Sequence, residues 1–258
     1  MAVMWRPDSG AALPDPGALL LSCFPSAGLA PTVAGHYMLQ ALKLPRIGAL
    51  VSEDFPPLAV IQGGRVNPPV RAYGNKELVL VLSEFPVLSG LVNPLAKAII
   101  DMAMQLKVAR IMGLEGVVPQ PAEADEQGTD TTPSDEKVWF AGSGTPTQLP
   151  AEFQAVGVRT MDTGVIGGVS GALLVEGMTA KIPVSSLLVS AADAGYPDHR
   201  AAAKIIEVID QALPHFKIDT KPLRTQAEMI ERALRAAVQR REPAPPAAPS
   251  SETLPIYQ

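Results

Sequence analysis

The sequence is poor in the residues that most often build metal and redox sites. It has one cysteine, Cys23, and three histidines, His36, His199 and His215. A single cysteine excludes an intramolecular disulfide and a zinc site made of several cysteines, and its apolar surroundings predict a buried, inert thiol. No histidine has a second histidine at the helical spacing of metal ligands, and the motif HExxH is absent. The sequence therefore predicts neither a metal site nor a cofactor.

Long apolar runs and an excess of basic residues are also missing. No apolar run approaches the roughly 20 residues that span a bilayer, and the opening MAVMWRPDSG lacks the basic and apolar regions of a signal peptide. The formal net charge is -5 at pH 7, whereas a nucleic-acid-binding protein needs a basic face that displaces counterions. We therefore expect a cytoplasmic protein that binds neither membranes nor nucleic acids.

Short apolar runs alternate with helical patterns along the chain. This alternation is typical of βαβ units around a largely parallel sheet. The strongest predicted strands are Ala18–Phe24, which is apolar enough to be covered on both faces, and Leu78–Phe85. A helix is expected from near Asn93, with Pro94 in its first turn. The sequence thus predicts one α/β domain with a mostly parallel central sheet.

Two local patterns add detail to this domain. The segments around Val60 and Val70 predict a hairpin about Gly63 and Gly64, because two glycines between apolar runs are typical of a tight turn. Asp198 precedes a run of apolar residues at helical spacing and is a good N-cap for that helix.

Composition divides the chain into segments. We predict an N-terminal extension over residues 1–17, an α/β domain over 18–218, a C-terminal helix over 219–242 and a flexible tail over 243–258. Within the domain, residues 119–137 have six acids, one lysine and almost no apolar side chains. Such a segment cannot offset the entropy of its own ordering, so we expect a mobile acidic insertion. The proline-rich tail is expected to be an extended tether.

The predicted helix over residues 219–242 has a narrow apolar stripe. Leu223, Ile230 and Leu234 share one face, while the other face is densely charged. An apolar stripe in water has to be covered. We therefore expect this helix to pack on the body of the protein or on a sister subunit.

Two glycine-rich segments could hold an anion. The first is GSGTP, from Gly142, and the second is GVIGGVSG, from Gly164, which we expect to open a helix whose N-terminal amides favour phosphate. Neither matches the dinucleotide fingerprint or the P-loop, and close packing of small residues explains both equally well. The candidate anion-binding residues of the second segment are Gly164, Gly167, Gly168, Ser170 and Gly171.

The remaining polar residues do not form a convincing catalytic set. Glu84 ends the strongest strand, where α/β folds place functional groups, but a lone carboxylate there is more often a hydrogen-bonding anchor than a general base. Asp198 and His199 are adjacent on a helix and point in different directions, which favours an N-cap over a catalytic dyad. Ser170 lies outside a GxSxG elbow. The sequence therefore predicts that the protein is not an enzyme.

Five segments occur in an informative order: SAGLAPTVAGHYMLQAL, VNPPVRAY, LVLVLSEFP, the stretch Gly164–Leu174, and YPDHRAAAKIIEVI. Together, over about residues 18–240, they resemble the proteasome assembly chaperone family in its archaeal form. The resemblance implies a three-layer α/β/α sandwich similar to the nucleoside phosphorylases, without their catalytic residues. It also implies a homo-oligomer. To this fold the chain would add its C-terminal helix and its proline-rich tail.

The chain ends in LPIYQ, although a solvated tail normally lacks large apolar side chains. Ile256, Tyr257 and Gln258 match the hydrophobic–tyrosine–any-residue ending of proteins that dock on the proteasome core particle. The carboxylate of Gln258 can pair with a lysine in an intersubunit pocket, and Tyr257 supplies a rigid apolar ring. The match predicts docking on the core-particle α-subunits. A tail that folds back on its own subunit stays open.

Two functional hypotheses follow. The first is a non-enzymatic proteasome assembly chaperone, or an ATP-independent activator or adaptor, that presents its C-terminal tails to the α-subunit ring. The alternative is a phosphorylase-like small-molecule enzyme, or an anion-binding protein, that uses the loop Gly164–Gly171. Charged side chains converging on that loop would favour the alternative.

Overall fold

The computed structural model describes residues 2–118, 137–143, 148–192, 196–214 and 216–239. The predicted acidic insertion, apart from Lys137, and the whole predicted tail lie outside the described residues, as does the tripeptide Ile256–Gln258.

The strands of the described chain are β1 Met4–Pro7, β2 Leu19–Cys23, β3 Arg46–Val51, β4 Val60–Gln62, β5 Arg65–Asn67, β6 Val70–Gly74, β7 Leu78–Leu82, β8 Arg110–Val117, β9 Val138–Gly142, β10 Arg159–Thr160 and β11 Val184–Ser190. Most of them belong to one nine-stranded sheet, in the order β1-β3-β6-β7-β2-β8-β11-β9-β10, and β4 and β5 form a separate ribbon. The helices are α1 Ala30–Ala41, α2 Ser89–Gln105, α3 Ala151–Ala155, α4 Gly168–Ala180, α5 His199–Ala212 and α6 Lys221–Gln239.

The centre of the sheet is parallel and its margins are largely antiparallel. β7, β2, β8 and β11 run parallel to one another, as the sequence predicted. β1, β3, β6 and β7 pair antiparallel, and so do β11 and β9. Only residues 75–77 connect β6 to β7, which is too short for the crossover that a parallel pair needs. The sheet as a whole is therefore mixed.

Helices cover both faces of the sheet because its central strands are apolar on both sides. Leu19, Leu21 and Cys23 of β2 belong to one buried cluster, which also includes residues of α1, α3 and α5. Leu20 of β2 belongs to a second buried cluster, with residues of α2 and α4. The fold is therefore a large mixed sheet between helices. Its likeness to the nucleoside phosphorylases stays a prediction.

Helix α2 begins earlier than the sequence predicted. It starts at Ser89 rather than near Asn93, so Pro94 lies inside the helix and not in its first turn. Leu91 is buried in the core and anchors the added turn. Pro94 lacks the amide that would bond to the carbonyl of Gly90, so the turn loses one hydrogen bond and keeps its apolar contact.

The predicted hairpin is present but shorter than expected. β4 and β5 pair about Gly63 and Gly64, whose φ angles are 56° and 73°, in the left-handed region that glycine adopts without strain. Val70 is not part of this ribbon. It begins β6 of the main sheet, because Pro68 and Pro69 separate the two strands.

The last helix packs on the body, as its stripe predicted. Leu223 and Ala227 are buried, Ile230 is half-buried, and α6 lies against α5. The side chain of Leu234 lies outside the description. Asp198 is the predicted N-cap of α5: its Oδ1 accepts a hydrogen bond from the amide of Ala201 at 3.0 Å. In the described part of the chain, every helix is too short or too polar to cross a membrane.

Candidate functional site

The carboxyl ends of the parallel strands carry several polar residues. Ser26 follows β2, Glu84 follows β7, and Glu115 lies near the end of β8. In α/β sheets this edge is the usual position of binding and catalytic groups. The neighbouring loop before α4 contains the glycines that the sequence singled out as candidate anion ligands.

Glu115 is largely buried between the loop that contains Ser26 and the first turn of α4. Burial raises the pKa of its carboxyl to about 7, although hydrogen bonds from the hydroxyls of Ser170 and Ser26 favour the ionised form. The Ser26 hydroxyl also accepts a hydrogen bond from the amide of Gly116 at 2.8 Å. The carboxyl therefore changes its charge near neutral pH.

Close packing at two glycines of β8 presses this loop and α4 onto the strand. A Cβ at Gly113 would lie 2.8 Å from Ser170 Oγ, and a Cβ at Gly116 would lie 2.1 Å from the carbonyl oxygen of Ala27. Neither position has room for a side chain. Ser170 is thus held against the strand and not displayed to solvent.

The candidate anion-binding loop has two kinds of glycine. Gly171 and Gly164 are packing glycines, since an added Cβ would lie 2.1 Å from the Ile166 carbonyl oxygen or 2.9 Å from Met161 Cε. Gly167 and Gly168 face open space within the described part of the chain. The charged group that comes close to Ser170 is an acid, Glu115, which repels an anion when ionised. Anion binding by this loop stays a prediction.

A second polar cluster surrounds Arg71, whose side chain is fully buried. Its guanidinium donates hydrogen bonds to the carboxylate of Glu84, to Tyr73 Oη at 3.0 Å, and to the carbonyl oxygens of Pro68 and Pro69 at 3.2 Å and 3.3 Å. The sequence reading missed this arginine. Its signal was a charged residue inside the otherwise apolar strand VRAY.

Glu84 is shared between this arginine and a histidine from α1. His36 Nε2 lies 2.9 Å from Glu84 Oε1. Burial raises the pKa of Glu84, but hydrogen bonds from His36 and Arg71 outweigh it and hold the pKa at about 2. A carboxylate so strongly held is a weak base. Of the two roles that the sequence left open for Glu84, the geometry therefore favours a hydrogen-bonding anchor over a general base.

Asp198 and His199 also have structural partners. Asp198 Oδ2 accepts a hydrogen bond from the amide of Ala192 at 2.9 Å, while its other oxygen caps α5. His199 Nδ1 lies 3.0 Å from the carbonyl oxygen of Pro197. Through these contacts Asp198 connects the loop after β11 to α5. This is the role of a helix cap and not that of a catalytic dyad.

Among the described residues, no group of three or more histidine, cysteine or acidic side chains could hold a metal ion. Cys23 is free and fully buried, and burial raises its pKa far above the usual range. His215 lies outside the described residues, as do the predicted docking residues Ile256, Tyr257 and Gln258.

The profile of the PAC2 family matches residues 20–238. The chain belongs to the PAC2 family. The match begins at the second residue of β2, includes every later strand of the described residues, and ends one residue before the end of α6.

Among similar proteins are two whose descriptions refer to the proteasome. PbaA of Pyrococcus furiosus, described as an archaeal homologue of proteasome-assembly chaperone, is 27% identical, with a TM-score of 0.75 over 93% of this chain and 92% of that one. The uncharacterized protein MJ0106 of Methanocaldococcus jannaschii is 26% identical over 217 residues, 84% of each chain. PbaB of Pyrococcus furiosus, described as an archaeal proteasome activator, shares the fold, with a TM-score of 0.72 at 19% identity over 92% and 99% of the two chains. The resemblance to the proteasome assembly chaperone family is thereby confirmed at the level of family and fold.

Proposed function

We propose that this PAC2 protein is a non-enzymatic, cytoplasmic proteasome assembly chaperone, or an ATP-independent activator or adaptor, that docks on the core-particle α-ring through its C-terminal tail. The observation that carries the proposal is the ending Ile256–Tyr257–Gln258 on a chain of this family. The similarity to PbaA supports the chaperone part. Three terminal residues are a weak motif alone, and the family gives them their weight.

The attachment of the tail suits docking at a distance. Leu223 and Ala227 fix the first half of α6 to the body beside α5, and the tail follows this helix in the sequence. The proline-rich residues 243–258 favour an extended tether with a reach on the order of 50 Å, at ~3.1 Å per residue. Pro255 limits the entropy lost when the last residues enter a pocket.

Self-association would multiply the effect of each tail. One tail binds weakly, whereas several tails on one oligomer bind together through their raised effective concentration. The ribbon of β4 and β5 supports a homo-oligomer, because the cross-strand pair Ile61 and Val66 is 64% and 70% exposed. Exposed apolar surface that is contiguous across two strands is the kind of surface that protein–protein contacts use.

The proposal is tested by Tyr257→Ala in the full chain, with Tyr196→Ala, an exposed tyrosine on the body, as the matched control. Loss of a buried aromatic anchor typically costs ~2 kcal/mol per site, which is about thirtyfold in affinity. Surface plasmon resonance on immobilised core particle should show this loss for Tyr257→Ala alone. One residue added after Gln258 should weaken binding similarly, since it displaces the carboxylate. Unchanged binding by both tail variants would refute docking through the tail.

A further inference from the structure

A cleft of about 520 Å³ lies at the edge of the sheet opposite to Glu115. It is formed where β8 and β11 begin and β9 ends, since Val184 is in register with Ile111 and Ser185 with Gly142. This volume is within the range of small-molecule sites. The cleft shares no lining residue with the loop Gly164–Gly171, but its lining includes Gly142 and Ser143, the first two residues of the other glycine-rich segment, GSGTP.

The walls of the cleft combine apolar side chains with two cations. Met112, Phe140 and Met178 provide apolar surface, while Arg110 and Lys181 provide the charges. Among the described residues that line the cleft, none is acidic. The whole chain has a net charge of -5, so a locally basic cleft opposes the charge of the rest of the surface. The two cations give the lining a positive charge, which raises the local concentration of anions, and Glu152 neutralises part of the Arg110 charge from outside the lining.

Tight packing of α4 on β11 positions one of the cations. A Cβ at Gly177 would lie 2.3 Å from Val184 Cγ2, so the last turn of α4 sits directly on the start of β11. Lys181 is the C-cap residue that directly follows α4, so this packing places its backbone at the wall of the cleft.

The second cation and a hydroxyl group come from the strands. Arg110 opens β8, and its Nη1 lies 3.2 Å from Glu152 Oε1, an acid outside the lining. Ser143 Oγ accepts a hydrogen bond from the amide of Val184 at 3.2 Å. The hydroxyl proton of Ser143 can therefore be donated to an anion in the cleft.

We infer that this cleft binds an organic anion: a carboxylate, phosphate or sulfonate group carried on an apolar, ring-sized body. Arg110, Lys181 and the Ser143 hydroxyl receive the charged group, and Met112, Phe140 and Met178 contact the body. The inference is independent of core-particle docking, because it uses no residue of the tail.

The test uses the full chain and two fluorescent probes that share one body. 1-Anilinonaphthalene-8-sulfonate has the anionic group, and N-phenyl-1-naphthylamine lacks it. Titration should show saturable binding of one sulfonate probe per chain and binding at least about tenfold weaker for the neutral probe. Raised salt should weaken the binding of the sulfonate probe but not that of the neutral probe, since the charged group of the sulfonate probe is partly exposed.

Matched variants locate the site. Met178→Glu places an acid in the wall of the cleft and should weaken binding of the sulfonate probe about tenfold or more. Its control is Met229→Glu, on α6 and similarly exposed, which should change the affinity for this probe less than about twofold. Lys181→Gln should weaken it about fivefold, as one exposed ion pair contributes up to about 1 kcal/mol. Lys43→Gln is its control, because Lys43 and Lys181 share a positive φ (49° and 56°).

Three results would overturn the inference: unsaturable binding at several sites, equal affinity for both probes, or equal effects of the cleft variants and their controls. Melting temperatures of all four variants show whether each is folded. Core-particle binding of Tyr257→Ala is measured separately, so failure of the cleft leaves the docking proposal standing.

Discussion

The guanidinium of Arg71 is fully buried, and the carboxylate of Glu84, just after the neighbouring strand β7, supplies its negative counter-charge. Glu84 is itself about one-third exposed, at 32%, and also contacts His36. The pair therefore connects the interior of the sheet to its surface at the carboxyl end of β7. Removing the carboxylate leaves a buried cation without its counter-charge, which is strongly destabilising.

Glu84→Gln should lower the free energy of unfolding at pH 7 by about 3 kcal/mol. The pKa of Glu84 is lowered from 4.5 to about 2 in the folded protein, so its contribution is complete above pH 4.5 and disappears as the pH falls toward 2. The difference between parent and variant should shrink over this window. Urea unfolding at several pH values measures it, with Glu53→Gln, an exposed acid, as control. A difference independent of pH would contradict the prediction.

Glu115→Gln should have the opposite pH dependence. The pKa of Glu115 is raised from 4.5 to about 7 on folding, so between these values the folded state holds more protons than the unfolded state. Stability of the parent should then fall as the pH rises from 4.5 to 7. At pH 7.5 the variant should be more stable than the parent, by on the order of 2 kcal/mol. Thermal melts across pH 4.5–8 check this, and a variant less stable than the parent at pH 7.5 would disprove it.

Gly177→Ala should destabilise the protein although alanine favours helices by about 1 kcal/mol. The new Cβ would lie 2.3 Å from Val184 Cγ2 and 2.8 Å from Val184 Cβ, and such overpacking typically costs about 1–3 kcal/mol. The double variant with Val184→Ala should recover part of the loss, because it removes the clashing methyl groups. Equilibrium unfolding of both variants measures the coupling; strict additivity would mean that the two positions are independent.

Ile61→Thr with Val66→Thr should weaken self-association. Both residues lie on the outer face of the ribbon. The opposite face is held by hydrogen bonds from Tyr73 Oη to Gln62 and from Arg46 to Asn67. Multi-angle light scattering should show a lower mass at micromolar concentration, and Val165→Thr, at 97% exposure, should not. An unchanged mass would exclude the ribbon from the interface.

Much of the fold follows from local patterns in the sequence. The apolar runs that contain Leu19–Cys23 and Leu78–Leu82 are buried strands of the parallel centre, because only a strand covered on both faces needs apolar residues throughout. Asp198 caps α5 as its position before an apolar helix predicted. Periodicity could not fix the start of α2, since the contact of Leu91 with the core decides it.

The candidate sites were less accessible to sequence reasoning. The cleft joins Arg110, Phe140 and Lys181 from separate elements, and nothing in their spacing indicates that they meet. Likewise, Glu115 and Ser170 lie far apart in the chain and come together through close packing at Gly113. The terminal tripeptide Ile256–Gln258 is the opposite case, because the evidence for docking through it comes entirely from the sequence.

The two ends of the main sheet differ from its long central strands. One end is β10, only two residues long, and the other is β1, which carries Arg6 and Pro7. An unpaired strand edge can recruit further strands and start aggregation, and short strands, charges and prolines prevent this. Within the described residues, both margins of the sheet therefore carry features that oppose the addition of further strands, so the protein is protected against polymerising through its own backbone.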